Sequence, residues 1–231
     1  MQKLDSMQQH RFKYLGLLTC LYITFQLVSD VSAAKLITLF SFPVSVTVLF
    51  FPFTYIFSDI LTEVYGYSRA RSVLWIVMLC SIIAGAIYSV VACLPAINDP
   101  IGAYPTVLGQ VPRILIGGWL AVFAGDIANN YTLAKMKILT KGKHLWSRTI
   151  TSTFIGQLVN TSVFYVVALY GKLPDNVLFQ SIMTGWLLKT AVEVILTPVT
   201  YYVVNNLKKI ENSDVYDTDT NFNPLIIKTP F

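Results

Sequence analysis

The chain has 231 residues, of which 55% are hydrophobic and only 13% are charged, about half the charged fraction of an ordinary soluble domain. With a mean hydropathy of +0.60, this composition excludes a simple soluble globule and requires lipid to take up part of the apolar surface. The net charge of +5 does not indicate nucleic acid, because the basic residues sit in the segments between apolar runs, as topology signals do.

In chain order, residues 1–13 (MQKLDSMQQHRFK) are polar and basic and read as a cytoplasmic N-terminal segment. The apolar run after them lacks a small-x-small cleavage site and is expected to be a retained helix. Six spans are expected near Tyr14–Ser29, Pro43–Tyr65, Val73–Leu94, Ile114–Leu133, Thr149–Tyr170 and Val177–Leu207, each long enough for a hydrocarbon core of about 30 Å. They give a six-helix transmembrane domain over residues 14–207. Pro52 falls inside the second span and is expected to kink it. Lys35–Phe42 is apolar but too short to span, and reads as an extended or interfacial segment on the outer side. Residues 208–231 are polar and read as a mobile cytoplasmic tail.

The basic residues set the orientation. With the N-terminus in the cytoplasm, thirteen of the 17 lysines and arginines fall on inner segments: Lys3, Arg11, Lys13, Arg69, Arg71, Lys135, Lys137, Lys141, Lys143, Arg148, Lys208, Lys209 and Lys228. Lys35, Arg113 and Lys172 fall outside, and Lys189 lies within a span. So large a bias predicts both termini inside and an even number of spans. The three cysteines are isolated in apolar runs and read as packing residues. His10 and His144, the two histidines, lie in basic non-membrane segments, which leaves no membrane-embedded triad or metal set. Neither an enzyme, a metal nor a cofactor is expected, and without a Walker motif the chain does not hydrolyse ATP by itself.

Ionisable groups inside a membrane are expensive and mark function or pairing. Asp59 and Glu63 are four residues apart on the second span and share a face with Tyr55. The fourth span aligns Trp119, Phe123, Asp126 and Asn130, with Gly117, Ala121, Ala124 and Ala128 on its other side, suited to close helix packing. The fifth offers Thr149, Ser152, Thr153, Gly156, Gln157 and Asn160; Trp146 precedes it. The sixth carries Lys189 and Glu193 at i,i+4. These either neutralise each other, or Lys189 pairs across the bundle with Asp59 or Asp126 and leaves Glu193 facing a cavity. Trp119, Trp146 and Trp186 serve equally as belt aromatics, and Gln157 and Asn160 as bridges between helices. Taken together, acids, amides and aromatics recur on four spans. A bundle closing those faces would enclose a polar, aromatic-walled pocket for a flat, hydrogen-bonding ligand.

Four ordered stretches resemble the queuosine-precursor transporter family, also called the vitamin uptake transporter or YhhQ family. They are FPFTYIFSDILTEVYG (Phe51–Gly66), GGWLAVFAGDIANN (Gly117–Asn130), WSRTITSTFIGQLVNTSVFY (Trp146–Tyr165) and LLKTAVEVILTPVTYYVVNNLKK (Leu187–Lys209). The resemblance implies an all-α integral membrane protein of six transmembrane helices, similar to substrate-binding subunits of energy-coupling-factor transporters. It places the protein in the bacterial inner membrane, importing 7-deazaguanine precursors of the tRNA base queuosine. Asp59, Glu63, Arg113, Trp146, Arg148, Gln157, Lys189 and Glu193 fall at patterned positions of those motifs. Asn160 stands where many relatives have aspartate. Such a ligand shows two adjacent donors that one carboxylate can accept in a fork, and a flat ring that stacks on aromatics. The expected partners are therefore a nucleobase-like small molecule and the lipid bilayer, with no nucleic acid; a homo-oligomer is compatible with the sequence. A substrate-binding subunit needing separate ATPase partners and a non-transport scaffold are the alternatives.

Overall fold

A computed structural model describes residues 12–33, 35–39, 42–95, 97, 102–108, 112–171 and 174–226. The expectations for Lys3, His10, Arg11, Lys172 and Lys228, and for the side chain of Arg113, lie outside the described residues. The described chain is almost wholly helical. α1 is Leu15–Ser32, α2 Phe51–Tyr65, α3 Tyr67–Cys93, α4 Ala103–Leu108, α5 Pro112–Leu139, α6 Leu145–Leu169 and α7 Asp175–Glu211. Four of these, α1, α3, α6 and α7, are long and apolar enough to cross a membrane. α3 shows why lipid is needed: Leu79, Ile83, Ile87 and Val90 are each at least half exposed, an apolar stripe that water would penalise.

Between α1 and α2 the chain is extended, as expected for the short apolar segment. β1 (Leu36–Leu39) and β2 (Phe42–Ser45) pair antiparallel, with Leu36 opposite Ser45 and Leu39 opposite Phe42. Ser45 then caps a 3-10 turn at Val46–Leu49, its hydroxyl accepting from the Thr47 N–H at 3.3 Å. This corrects the second span. Its first residues form a strand and a turn, leaving α2 only 15 residues, roughly 22 Å long. Pro52 lies in the first turn of α2, where its N–H would have had no helical partner, so it starts the helix instead of kinking it. A proline deep inside a long helix is found instead at Pro198 in α7.

Gly66 joins α2 to α3 with φ +87°, and a Cβ there would lie 2.7 Å from the Val215 side chain; only glycine meets both demands. α5 and α6 pack most closely at Gly125 and Gly156, where a Cβ on Gly125 would lie 2.6 Å from Asn160 Cβ and one on Gly156 would lie 2.7 Å from Asn129 Cβ. Gly117 and Ala121 do contribute to the packed face, while Ala124 and Ala128 are only half-buried.

The bundle has two distinct ends. At one, called here the basic pole, Arg69, Arg71, Lys137, Arg148 and Lys208 gather around the start of α3 and the ends of α2, α5 and α7. The other, the hairpin pole, carries β1 and β2. After α7, the described residues up to 226 fold onto the basic pole, a correction over that stretch to the mobile end expected from its polarity. The Ser213 hydroxyl donates to the Val64 carbonyl at 2.9 Å. Asp217 accepts the Tyr67 N–H at 3.0 Å and so caps α3. Arg71 Nη1 donates to the carbonyls of Asn221 and Asn223, and Trp75 Nε1 to that of Pro224. Phe222 packs against Tyr67 and Tyr131.

Candidate functional site

At the hairpin pole, a cleft opens among five helices of the bundle. α1 supplies Gln26, Ser29 and Asp30; Ser45 and Thr47 come from the segment leading into α2, and Phe51 is the first residue of α2. α5 contributes Gly118, Ala121 and Val122, α6 Asn160, Phe164 and Tyr165, and α7 Gly185 and Lys189. Asp30 is anchored from two sides: it accepts from Gln26 Nε2 at 2.8 Å and from the Ser81 hydroxyl, which in turn accepts from Trp119 Nε1 at 2.8 Å. Lys189 Nζ donates to Asn160 Oδ1 at 3.2 Å and sits 4.3 Å from the centre of the Phe51 ring. Gln26 Oε1, Ser29 Oγ and Asn160 Nδ2 are buried with no hydrogen-bond partner among the described residues. The cleft thus offers a carboxylate, a cation, free donors and acceptors, and aromatic walls.

One or two turns deeper lies a second polar layer. Asp59, Asp126, Gln157 and Glu193 are each no more than 2% exposed. Asp59 accepts from Asn129 Nδ2 at 2.6 Å, Glu193 from the Thr153 hydroxyl, and Ser58 donates to Asn130 Oδ1 at 2.8 Å. Gln157, fully buried, stands beside Glu193.

The third layer closes the basic pole. Glu63 receives Arg148 in a two-pronged grip, Nε at 3.0 Å and Nη2 at 2.6 Å, with Lys208 Nζ at 2.5 Å and Lys137 Nζ at 3.5 Å. Asp214 of the tail bridges the same two lysines, at 2.7 Å from Lys137 and 2.9 Å from Lys208. A fully buried bidentate pair of this kind is rigid and specific.

Of the nine candidate residues, Asn160 and Lys189 line the cleft, and Trp119 supports it through Ser81. Asp59, Asp126, Gln157 and Glu193 form the layer beneath, and Glu63 the closure. Trp146 is brought to none of them: it is 56% exposed, at the first turn of α6, as an interfacial belt residue would be. Lys189 pairs with neither Glu193, Asp59 nor Asp126; its polar partner is the Asn160 amide. Gln26 and Ser29 lie inside the expected first span but carry no charge to draw notice, and Asp30 lies just past its expected end, where α1 continues to Ser32. The i,i+4 spacing of Gln26 and Asp30 was the available signal.

A helical bundle with an apolar exterior and polar groups stacked inwards beneath a cleft is the architecture of an integral membrane protein. Residues 45–203 match the family model described as "Putative vitamin uptake transporter" (Vut_1), and the chain belongs to that family. It is therefore a membrane transporter and not an enzyme. It is also similar to the "Probable queuosine precursor transporter" of Bacillus subtilis (strain 168), with 26% identity over 188 residues, covering 80% of this chain and 82% of the relative. No solved structure matches the chain.

Proposed function

We propose that this protein imports a 7-deazaguanine precursor of queuosine, 7-cyano-7-deazaguanine or its aminomethyl form, as a stand-alone secondary transporter of the bacterial inner membrane. Six spans, α1, α2 extended by the segment before it, α3, α5, α6 and α7, are arranged like a substrate-binding subunit of energy-coupling-factor transporters, with both termini cytoplasmic. That orientation follows the basic bias of the sequence. It turns the hairpin pole outward and makes the present conformation outward-open, shut towards the cytoplasm by Glu63, Arg148, Lys137 and Lys208. The bilayer and a planar solute are its partners, nucleic acid is not, and association of two copies is compatible with this arrangement.

The single observation that carries the substrate class is the chemistry of the cleft. Asp30 can accept the ring N–H and exocyclic amine of a deazaguanine in a fork. Asn160 Nδ2 and Lys189 Nζ can donate to its carbonyl, and Phe51, Phe164 and Tyr165 offer faces for its ring. The relative's name supports the same class.

The deciding experiment is uptake of labelled 7-deazaguanines by cells unable to make them, with and without the protein, followed by uptake into vesicles holding this chain alone. Protein-dependent uptake in both is expected. Uptake equal in the two cell lines would overturn the substrate, and a requirement for separate ATPase subunits would overturn the stand-alone mode.

A further inference from the structure

The carboxylates beneath the cleft have no role in the cleft itself. Asp59, Asp126 and Glu193 come from three helices and are 1%, 1% and 2% exposed, with Glu193 in electrostatic reach of both aspartates. Among the described residues none has a lysine or arginine within ion-pair distance. Their other charged or titratable neighbours are Tyr55 and Glu63 on α2 and Lys189 on α7. Tyr55 donates to the Gly156 carbonyl at 3.1 Å, Glu63 is occupied by three cations, and Lys189 is turned to Asn160. A buried, unpaired carboxylate ion costs far more than its protonated form. An amide independently points to a ligand in the layer: Asn129, fully buried, gives its Nδ2 to Asp59 and leaves its Oδ1 unpartnered among the described residues, while Gln157, also fully buried, stands against Glu193. No three acidic, histidine or cysteine side chains among the described residues converge as a metal site. A proton, which needs a single oxygen, suits that spacing.

We propose that Asp59, Asp126 and Glu193 form a proton-carrying site that couples solute entry to proton entry, a proposal that rests on the transport function above. Position supports it. One helical turn separates Glu193 from Lys189 and Asp126 from Val122, and two turns separate Asp59 from Phe51, so the acids lie about 6–12 Å below the cleft lining. Glu63 lies one turn beyond Asp59, at the closure. In the outward-open state a carboxylate takes a proton from hydronium in the cleft; an O–H bond of the hydronium breaks as one forms on the carboxyl, which loses its charge. When the basic pole opens, that O–H bond breaks and the proton passes to cytoplasmic water as hydronium, leaving the carboxylate ionised.

Two measurements on purified, lipid-reconstituted protein test this. Infrared spectra at neutral pH are expected to show the carbonyl stretch of protonated carboxylic acids, reduced in Asp126→Asn and in Glu193→Gln; thermal melts identify whichever variant is folded. This readout needs no solute. In phosphatidylethanolamine–phosphatidylglycerol vesicles, an inward pH step of one unit should drive up to about tenfold accumulation of 7-cyano-7-deazaguanine per coupled proton. A protonophore should abolish it, and the folded variant should lose it. A missing infrared band, a band unchanged in every folded variant, or accumulation driven by sodium and indifferent to pH would each overturn the proposal. Intact band changes with no transport of any 7-deazaguanine would instead uphold the proton site and overturn the substrate.

Discussion

Glu63 illustrates how burial decides what a charge is worth. It is 1% exposed, as is Arg148, and Lys137 and Lys208 share it. Changing Glu63 to Gln would leave three cations without their common anion, so a loss of about 3–5 kcal/mol is expected, read as a lower midpoint of unfolding in detergent. Lys189 is the opposite case. It lines the cleft, is only partly buried, and makes a single 3.2 Å hydrogen bond. Lys189→Met should therefore keep the unfolding midpoint and weaken binding of 7-cyano-7-deazaguanine about tenfold, equivalent to roughly 1.4 kcal/mol. Calorimetry beside a melt checks both halves, and equal binding by the two proteins would remove Lys189 from the site. The sequence made both residues visible as charges in apolar surroundings. Their partners were hidden, because Glu63 and Arg148 are joined across 85 positions and nothing in local spacing carries that.

The tail after α7 is an element in its own right. Its polar composition suggested mobility, but composition does not count partners. Arg71, Trp75, Tyr67 and Lys137 meet its backbone carbonyls, and Asp217 caps α3. Replacing Asp217 by Ala should cost about 0.5–2 kcal/mol, with faster amide exchange in the first turn of α3. The tail's acid Asp214 gives it a defined pH dependence. Burial alone would raise that carboxyl, but the hydrogen bonds and charges of Lys137 and Lys208 outweigh it and hold it below its ordinary value of 3.8. A depressed carboxyl contributes fully above its unfolded value and loses that contribution as pH falls through the folded one. Amide protection of residues 213–217 should accordingly be the same at pH 7 and pH 5, and fall only below about pH 4. Loss of protection between pH 7 and pH 5 would show that Asp214 does not hold the tail. α2 was misjudged for a related reason: hydropathy cannot distinguish an apolar strand and turn from a helix in Pro43–Phe50, whereas Ser45, a capping residue, marked the break.

For the whole molecule, the basic bias of the sequence predicts both termini on the cytoplasmic side of the membrane. Reporter fusions should find the C-terminus and the α5–α6 connection cytoplasmic, and the β1–β2 hairpin outside; an external C-terminal reporter would reverse the cleft and invalidate import from the hairpin pole. The helical order and the interior placement of the acids were legible, since long apolar runs and their polar interruptions are one-dimensional signals. The separation of those polar residues into a cleft, a carboxylate layer and a closure was not. Asp59 and Glu63 share one helix face, yet belong to different layers because α6 brings Arg148 to one and α5 brings Asn129 to the other.

The way the tail is held bears on how freely it can vary. Tyr67, Arg71, Trp75 and Lys137 recognise main-chain oxygens of Phe222, Asn221, Asn223, Pro224 and Val215, atoms that every amino acid possesses. Spelling can therefore drift over much of residues 213–226 while the spacing from Asp214 to Pro224 stays fixed. A deep mutational scan should find single substitutions at Asn221 tolerated and single-residue deletions there harmful. For the same reason a purification tag belongs after Phe231, and not in place of the tail.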